Sequence, residues 1–89
     1  MQIRKLSLPG PLIIKPKVFS DKRGFLYDMW SSHTYFKSGI KSKFVEVIYS
    51  YSKKNTLRGI HFQYPNSQEK LITVLNGKIY EVIVDIRKN

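Results

Sequence analysis

The sequence predicts an all-β fold with one short helix. Apolar runs rich in β-branched and aromatic residues recur along the chain, and Pro, Gly, Asn and Ser interrupt them at short intervals. The pair Asn76-Gly77 separates two such runs and has the residue types of a type I′ turn. At 89 residues the chain has room for one domain at most, and it contains no internal repeat.

The first part of the chain contains a strand limited by proline and then a polar turn. Leu12 to Ile14 form an apolar stretch, which Pro16 restricts to an edge strand or an interrupted strand. The polar residues 20–24 then predict a turn, and an extended segment resumes over residues 25–30. These signals predict strands that are short and separated by tight connections.

One short helix is predicted directly after this segment. Ser31 or Ser32 can cap its start and Gly39 can close its end. Tyr35 and Phe36 supply the side that we expect to be buried.

The second half of the chain reads as further strands. Residues 44–51 are rich in β-branched and aromatic side chains, and residues 52–55 form a turn that leads into a strand over residues 57–63. The Asn-Gly turn predicts a hairpin between residues 71–75 and 78–86.

The hairpin register places three charged residues on one face. A two-residue turn pairs Ile72 with Glu81, so Lys70, Glu81 and Asp85 share that face. This mixed face suggests a site, but the simpler interpretation is a surface salt bridge between Lys70 and Glu81, of small energetic value.

The stretch LRGIHFQ, residues 57–63, contains one of only two histidines in the chain. Histidine is the side chain whose ordinary pKa lies nearest neutral pH, which makes His61 a candidate for proton-transfer chemistry. Gly59 lies on the same side of the predicted strand and removes bulk beside it. The simpler alternative is a hydrogen-bonded, half-exposed histidine at a barrel rim.

A metal site is one alternative, because small β-barrels of the cupin type bind metals through a His-x-His pair followed by a carboxylate and a glycine. Gly59, His61, Glu69 and Gly77 have a suggestive spacing, but Gln63 stands where the second histidine would be. Zinc and iron sites require several imidazole or carboxylate ligands. The sequence therefore predicts no metal.

The chain carries 16 Lys and Arg against 6 Asp and Glu, a formal charge of +10. This balance favours an anionic ligand, and an alternative function is a small basic β-protein that binds nucleic acid or another polyanion. The lysines are scattered, which is more typical of a solvated face, and no recognised nucleic-acid motif is present. No specific nucleic-acid partner is expected.

The chain has no cysteine, which excludes disulfides and thiolate metal sites and is compatible with a reducing compartment. Residues 9–11 break the N-terminal apolar run before it reaches signal-peptide length, and no stretch is long enough to cross a membrane. We expect a soluble, cytoplasmic protein with no membrane partner.

Three stretches carry a family resemblance when taken in order: LPGPLIIKPKVFSDKRGFLYD, YSKKNTLRGIHFQ and KLITVLNGKIYEVIVDIRK. They resemble the dTDP-4-dehydrorhamnose 3,5-epimerase family through the motifs D-x-R-G-F, L-R-G-x-H-x-Q and V-D-I-R. The resemblance runs over essentially the whole chain, residues 1–89, which corresponds to about the first half of such an enzyme. It implies the N-terminal part of a single domain whose C-terminal half is absent.

The resemblance implies a partial cupin-type jelly roll, an antiparallel β-sandwich or barrel, that forms homodimers. It also implies an isomerase of dTDP-rhamnose and related deoxysugar biosynthesis, which feeds surface polysaccharide. The expected substrate is a dTDP-linked 4-keto-6-deoxy sugar, and no cofactor is expected. A proton next to the ketone is removed, the enolate is held, and a proton returns on the opposite face.

The resemblance also assigns roles to residues of this sequence. His61 matches the catalytic base, and Lys70 matches a strand lysine suited to stabilise an enolate oxygen or a phosphate. The expected substrate-binding residues are Arg23, Phe25, Asp28, Glu46, Arg58 and Glu81.

The chain departs from the family pattern at several of these positions. Glu46-Val47-Ile48 stands where the family usually reads Q-D-N, Asp28 where a glutamate is common, and Glu81 where an aspartate is common. The family's proton-donating tyrosine and histidine-orienting aspartate lie beyond Asn89. We therefore expect the 89-residue chain to be inactive by itself, with unpaired strand edges that favour pairing with another chain.

Overall fold

A computed structural model describes residues 1–88 of the chain. The chain forms two compact units, one made of Met1–Lys41 with the segment from Thr73 onward, and the other of Ser42–Ile72. The described helix and strands all lie within the first 41 residues, in the order β1 (Gln2–Lys5), β2 (Leu12–Lys15), β3 (Phe19–Asp21), β4 (Gly24–Leu26) and α1 (Ser32–Lys37).

Strands β1 and β2 form a two-stranded antiparallel sheet with Gln2 opposite Lys15 and Lys5 opposite Leu12. The strand predicted from Leu12 is confirmed, and it ends immediately before Pro16, which cannot donate a ladder hydrogen bond. Strand β1 was not predicted, because its four residues alternate weakly between apolar and charged types. Each strand has one neighbour, so both are edge strands.

Strands β3 and β4 form a second antiparallel pair around the predicted polar turn. Asp21 lies opposite Gly24, so Lys22 and Arg23 occupy the tip of the hairpin. Gly24 has φ +139°, a conformation that side chains with a Cβ rarely adopt, which explains why glycine ends this turn. The extended segment predicted over residues 25–30 is shorter than expected, since β4 ends at Leu26.

Helix α1 is confirmed close to its predicted bounds. Ser31 is the N-cap, and its hydroxyl oxygen accepts a hydrogen bond from the backbone N–H of Thr34 at 3.3 Å. Ser38 is the C-cap, and Gly39 follows with φ +94°. The prediction that Phe36 is buried is wrong: its side chain is 59% exposed, and Tyr35 alone turns inward.

Tyr35 is the one buried residue among residues 1–88, with 3% of its surface exposed. Its ring makes an edge-to-face contact with Trp30, with 4.6 Å between ring centroids. Its hydroxyl donates to the carbonyl oxygen of Met29 at 3.2 Å, which satisfies the polar end of the buried side chain. Tyr35 thus fixes the helix to the segment that precedes it.

The strands predicted over residues 44–51, 57–63, 71–75 and 78–86 are not formed: residues 42–88 contain no strand. Most of their apolar residues are exposed, with Val47 at 98% and Leu57 at 92%, while Phe44 and Leu71 are half-buried. High β-propensity describes a side chain that fits a pleated, half-buried surface, and it does not form a strand without a neighbour to complete the hydrogen-bond ladder. None of these segments has a hydrogen-bonded neighbour, although residues 71–75 and 78–86 lie close together in the sequence.

The predicted type I′ turn at Asn76-Gly77 is also wrong. Such a turn needs positive φ at both central residues. Gly77 has φ +91°, but Asn55 is the only non-glycine residue with positive φ in residues 1–88. By contrast, the turn predicted over residues 52–55 is present, with Asn55 at φ 67° and the Thr56 N–H donating to the Lys53 carbonyl at 3.2 Å.

The regular structure is therefore antiparallel strand pairs and one short helix across the described residues, which confirms the predicted fold class at that level. Among residues 1–88, no helix has the length and apolar character needed to cross a membrane.

Candidate active site

Arg23, at the tip of the β3–β4 hairpin, is held by the carboxylate of Asp21. The Asp21 carboxylate accepts hydrogen bonds from the Arg23 backbone N–H at 2.8 Å, from Nε at 3.1 Å and from Nη2 at 2.6 Å. These bonds lower the pKa of the Asp21 carboxyl and raise the pKa of the Arg23 guanidinium. The pair remains open to solvent, because the Arg23 side chain is 90% exposed.

Phe25 lies on β4, next to this ion pair. Its ring is 72% exposed and stacks on the ring of Tyr27, with 6.2 Å between centroids and planes 10° apart. Asp21, Arg23, Phe25 and Phe19 line one shallow concave surface of the hairpin. The surface combines a cation with exposed aromatic rings, the combination that contacts a nucleotide's phosphates and its base.

Asp28 and Glu81 are both exposed residues of the first unit. The negative charge of Asp28 adds to the effect of burial, which is the larger cause, in raising the pKa of Tyr35. Glu81 lies in a segment without regular structure and forms no ion pair within residues 1–88.

Arg58, in the second unit, binds the turn that precedes it. Its Nε donates to the hydroxyl of Ser52 at 2.8 Å, and its Nη2 donates to the carbonyl oxygen of Tyr51 at 3.2 Å. These contacts position the guanidinium at the base of the 52–55 turn. The residue therefore stabilises its own loop.

His61 and Lys70 are both exposed, and neither makes a hydrogen bond or ion pair within the described part of the chain. Gly59, two residues before His61, has φ +112°, so the backbone leaves the extended conformation predicted for LRGIHFQ. Glu69, which precedes Lys70, accepts a hydrogen bond from the hydroxyl of Ser42. His61 and Lys70 are accessible to a ligand, and no protein contact orients either of them.

The structure contradicts the predicted charged face of the second hairpin. Lys70 and Glu81 form no salt bridge in residues 1–88, and Asp85 pairs with Arg87, with 2.7 Å between Oδ2 and Nη2. The physical reason is that the register requires a ladder that does not form. Glu46 is likewise exposed in a segment without regular structure.

The predicted site residues divide between the two units: Arg23, Phe25, Asp28 and Glu81 belong to the first, and Glu46, Arg58, His61 and Lys70 to the second. Sequence reasoning gave no role to Asp21 or Arg87, and it placed Asp85 only on the predicted hairpin face. The signal that could have found them is the repeated pattern Asp-x-Arg, residues 21–23 and 85–87. Among residues 1–88, no three His, Asp or Glu side chains are grouped so that they could hold a metal ion.

Comparison with known proteins identifies the class of protein to which the chain belongs. The family model for dTDP-4-dehydrorhamnose 3,5-epimerase matches residues 5–89. The chain belongs to this family.

Individual relatives agree with the family match. The dTDP-4-dehydrorhamnose 3,5-epimerase of Salmonella typhimurium is 44% identical over 99% of this chain and 49% of its own length. The proteins of the same name from Methanothermobacter thermautotrophicus and Shigella flexneri are each 40% identical, over 96% and 100% of this chain and 46% and 50% of their own lengths. The chain thus spans about half the length of these relatives. No solved structure matches it.

Proposed function

We propose that this chain forms part of an epimerase that acts on a dTDP-linked 4-keto-6-deoxy sugar in deoxysugar biosynthesis. The observation that carries the proposal is the family match over residues 5–89, together with relatives up to 44% identical that bear the epimerase name. The alternative function, a basic β-protein that binds nucleic acid, receives no support from these relatives.

His61 removes the proton from the carbon next to the ketone. Its imidazole is exposed and makes no hydrogen bond within residues 1–88, so it is available to a substrate. A base that works near neutral pH must be able to hold and release a proton there, which histidine does without a metal. The proposed reaction accordingly needs no cofactor.

Lys70 stabilises the enolate oxygen that develops as the proton leaves. An ammonium group is a compact charge, and such a charge is most effective against a developing oxyanion from which water is excluded. Lys70 is exposed and forms no ion pair in the part of the chain that is described, so its charge is not already neutralised by a protein carboxylate.

Arg23, Phe25, Asp28, Glu46, Arg58 and Glu81 are the proposed substrate-binding residues. The hairpin surface at Arg23 and Phe25 offers donors for phosphate and an exposed ring for the base. The substitution of family residues by Glu46 and Asp28 makes these two positions the proposed determinants of which sugar is accepted.

We further propose that the complete fold is a cupin-type jelly roll that acts as a homodimer in the cytoplasm. The segments predicted as strands in residues 44–86 expose their apolar side chains, for example Val45 at 93% and Tyr80 at 93%. Exposed segments of high β-propensity gain hydrogen bonds and buried area when a further strand pairs with them. A second copy, or the remaining length that the relatives have, would supply such strands.

The test is the incorporation of solvent deuterium into dTDP-4-keto-6-deoxyglucose. The protein for this test, called here the extended protein, is the 89-residue chain followed by the C-terminal half of the Salmonella typhimurium relative. It should exchange hydrogen next to the ketone, and His61→Ala should abolish the exchange. The matched control is His33→Ala, which removes the other, exposed histidine on helix α1 and should leave exchange unchanged. Exchange that survives His61→Ala would refute the assignment.

The nucleic-acid alternative has its own test. A polyanion-binding protein shows affinity that falls steeply with salt, because phosphate contacts release counterions. An oligonucleotide titration of the 89-residue chain at two salt concentrations should give only weak, sequence-independent association. Tight, sequence-dependent binding would favour the alternative.

A further inference from the structure

The pattern Asp-x-Arg occurs twice in the chain, and both copies fold into the same arrangement, called here the Asp-Arg clamp. In each copy the aspartate accepts three kinds of hydrogen bond from the arginine two residues later. The distances from Asp21 to the Arg23 backbone N–H, Nε and Nη2 are 2.8, 3.1 and 2.6 Å. The corresponding distances from Asp85 to Arg87 are 3.0, 2.9 and 2.7 Å.

The two clamps differ in what the outer edge of the guanidinium contacts. In the second clamp, Arg87 Nη2 also donates to the carbonyl oxygen of Pro9 at 2.9 Å. In the first clamp, Arg23 has no further acceptor within residues 1–88, and its side chain is 90% exposed against 65% for Arg87. The second clamp therefore binds a backbone carbonyl oxygen of the chain, whereas the first clamp leaves the outer edge of its guanidinium open to solvent.

A guanidinium carries five N–H donors in one plane. The carboxylate of Asp21 occupies the edge formed by Nε and Nη2, which leaves the edge formed by Nη1 and Nη2 for another ligand. That edge has the spacing of two oxygens on one phosphorus, which is why arginine binds phosphate in a bidentate manner. The orientation of this edge is fixed because Asp21 fixes the plane.

We propose that Asp21 is a positioning residue that orients the guanidinium of Arg23 to bind the diphosphate of the nucleotide sugar. The Pro9 carbonyl in the second clamp marks the equivalent place for a ligand oxygen in the first. The inference rests on the proposed function, in which Arg23 is a substrate-binding residue. It adds Asp21 as the residue that orients the Arg23 guanidinium.

Simple electrostatics predicts the opposite effect for Asp21. A carboxylate beside the binding edge repels phosphate, so its neutralisation should strengthen the binding of any anion. Positioning predicts that neutralisation weakens binding, since the guanidinium then samples many rotamers and must be ordered by the ligand itself. The sign of the effect therefore separates the two roles.

The experiment titrates the 89-residue chain with dTDP and, in parallel, with inorganic pyrophosphate by calorimetry. Asp21→Asn keeps an oxygen that can accept the Arg23 backbone N–H, so the turn is retained while the paired carboxylate is lost. The matched control is Asp85→Asn, which changes the net charge equally and disrupts the clamp that is already occupied by Pro9. We expect Asp21→Asn to weaken both ligands about tenfold, the loss of one charge-assisted contact, and Asp85→Asn to weaken neither.

Two further measurements separate positioning from a general loss of structure. In an Arg23→Lys background, Asp21→Asn should have less than about a twofold effect, because lysine has no fork to orient. By NMR, the Arg23 Nε–H should exchange with solvent faster in Asp21→Asn than in the parent, while the amide spectrum of β3 and β4 stays unchanged.

The outcomes distinguish this inference from the proposed function. If Asp21→Asn binds the ligands as tightly as Asp85→Asn or more tightly, the positioning role of Asp21 is refuted. This holds even if dTDP binds more tightly than pyrophosphate. Parent affinities that are the same for dTDP and pyrophosphate would count against nucleotide recognition. In that case the pyrophosphate titrations still test the role of Asp21. No binding of either ligand would overturn the role given to Asp21 and Arg23, whereas deuterium exchange by the extended protein tests the proposed function separately.

Discussion

Arg87 Nη2 donates a hydrogen bond to the carbonyl oxygen of Pro9 at 2.9 Å, although the two residues lie 78 positions apart in the sequence. The contact joins the end of the described chain to the loop between β1 and β2. Gly10 lies beside it, and a Cβ at that position would come within 3.9 Å of Arg87 Nη1. Asp85 orients Arg87 for this contact, since it occupies the other edge of the guanidinium.

Replacement of Arg87 should release the β1–β2 loop. In Arg87→Gln the Pro9 carbonyl loses its donor, so we expect faster hydrogen exchange, measured by NMR, at the amides of the non-proline residues in 6–11. The control is Arg4→Gln, which removes the same charge from an exposed position of β1. Equal exchange rates in the two variants would show that the Arg87 contact does not restrain the loop.

Acid should release the same loop. Hydrogen bonds from Arg87 lower the pKa of Asp85 from its ordinary value of 3.8 to about 2. A carboxyl whose pKa is lower in the folded state stabilises that state above pH 3.8, and the contribution is lost as the pH falls from 3.8 through about 2. An NMR titration should give Asp85 a midpoint near pH 2, and Asp85→Asn should remove this part of the acid dependence.

Asp28→Asn is the matched control for the acid titration, because it neutralises another exposed aspartate of the same unit. It should leave the acid-dependent release of residues 6–11 in place. A midpoint for Asp85 near 3.8 would contradict the clamped geometry.

High pH should break the contact between the rings of Tyr35 and Trp30. Burial, with a smaller contribution from the charge of Asp28, raises the pKa of Tyr35 above 10.0. A group with a raised pKa in the folded state stabilises that state fully below pH 10.0, and the contribution is lost as the pH rises through the raised pKa. Trp30 is the one tryptophan of the chain, so its fluorescence reports this change directly.

Tyr35→Phe provides the comparison for the alkaline transition. It keeps the ring and removes the hydroxyl that donates to Met29, at a cost of about 1 kcal/mol in the free energy of unfolding at neutral pH. The variant should no longer show the alkaline change in Trp30 fluorescence. An unchanged transition would assign it to another of the six tyrosines.

The N-cap of α1 should contribute measurably to the stability of the helix. Ser31→Ala removes the acceptor of the Thr34 N–H and should lower the free energy of unfolding by about 1 kcal/mol. Urea unfolding monitored by circular dichroism measures this free energy. Ser32→Ala changes the same residue type inside the helix, where alanine is the better helix former, and should not destabilise the protein. Equal losses would refute the assignment of Ser31 as the cap.

The sequence predicts the features of this fold that depend on neighbouring residues. The cap at Ser31, the end of β2 before Pro16 and the polar turn over residues 20–24 each follow from the conformational preferences of local residue types. The predicted strands of the second half needed a hydrogen-bonded neighbour, which for the hairpin would be adjacent in the sequence and for residues 44–51 and 57–63 more distant. A side-chain pattern does not specify whether such a ladder forms. Asn76 illustrates this limit, because its turn chemistry is favourable but the flanking ladder is not formed.

The candidate site was predictable to a similar extent. The family motifs select Arg23, His61 and Lys70 as candidates, and their roles stay predictions. The hydrogen bonds of Asp21 are seen only in the geometry of the hairpin. An aspartate two residues before an arginine can equally cap a turn, bind a ligand or remain solvated. In the hairpin, both carboxylate oxygens of Asp21 accept hydrogen bonds from the Arg23 side chain.

Lys70 should be required for catalysis because it is the proposed partner of the enolate oxygen. In the extended protein, Lys70→Gln should lower kcat by roughly 100- to 1000-fold, the effect expected when one oxyanion-stabilising group is removed. Lys53→Gln removes the same charge from an exposed turn residue and should leave kcat unchanged, which controls for the high net charge of the chain. If the two variants lose the same activity, Lys70 acts through the general electrostatic field. If Lys70→Gln raises KM and leaves kcat unchanged, Lys70 binds a phosphate of the substrate instead of the enolate.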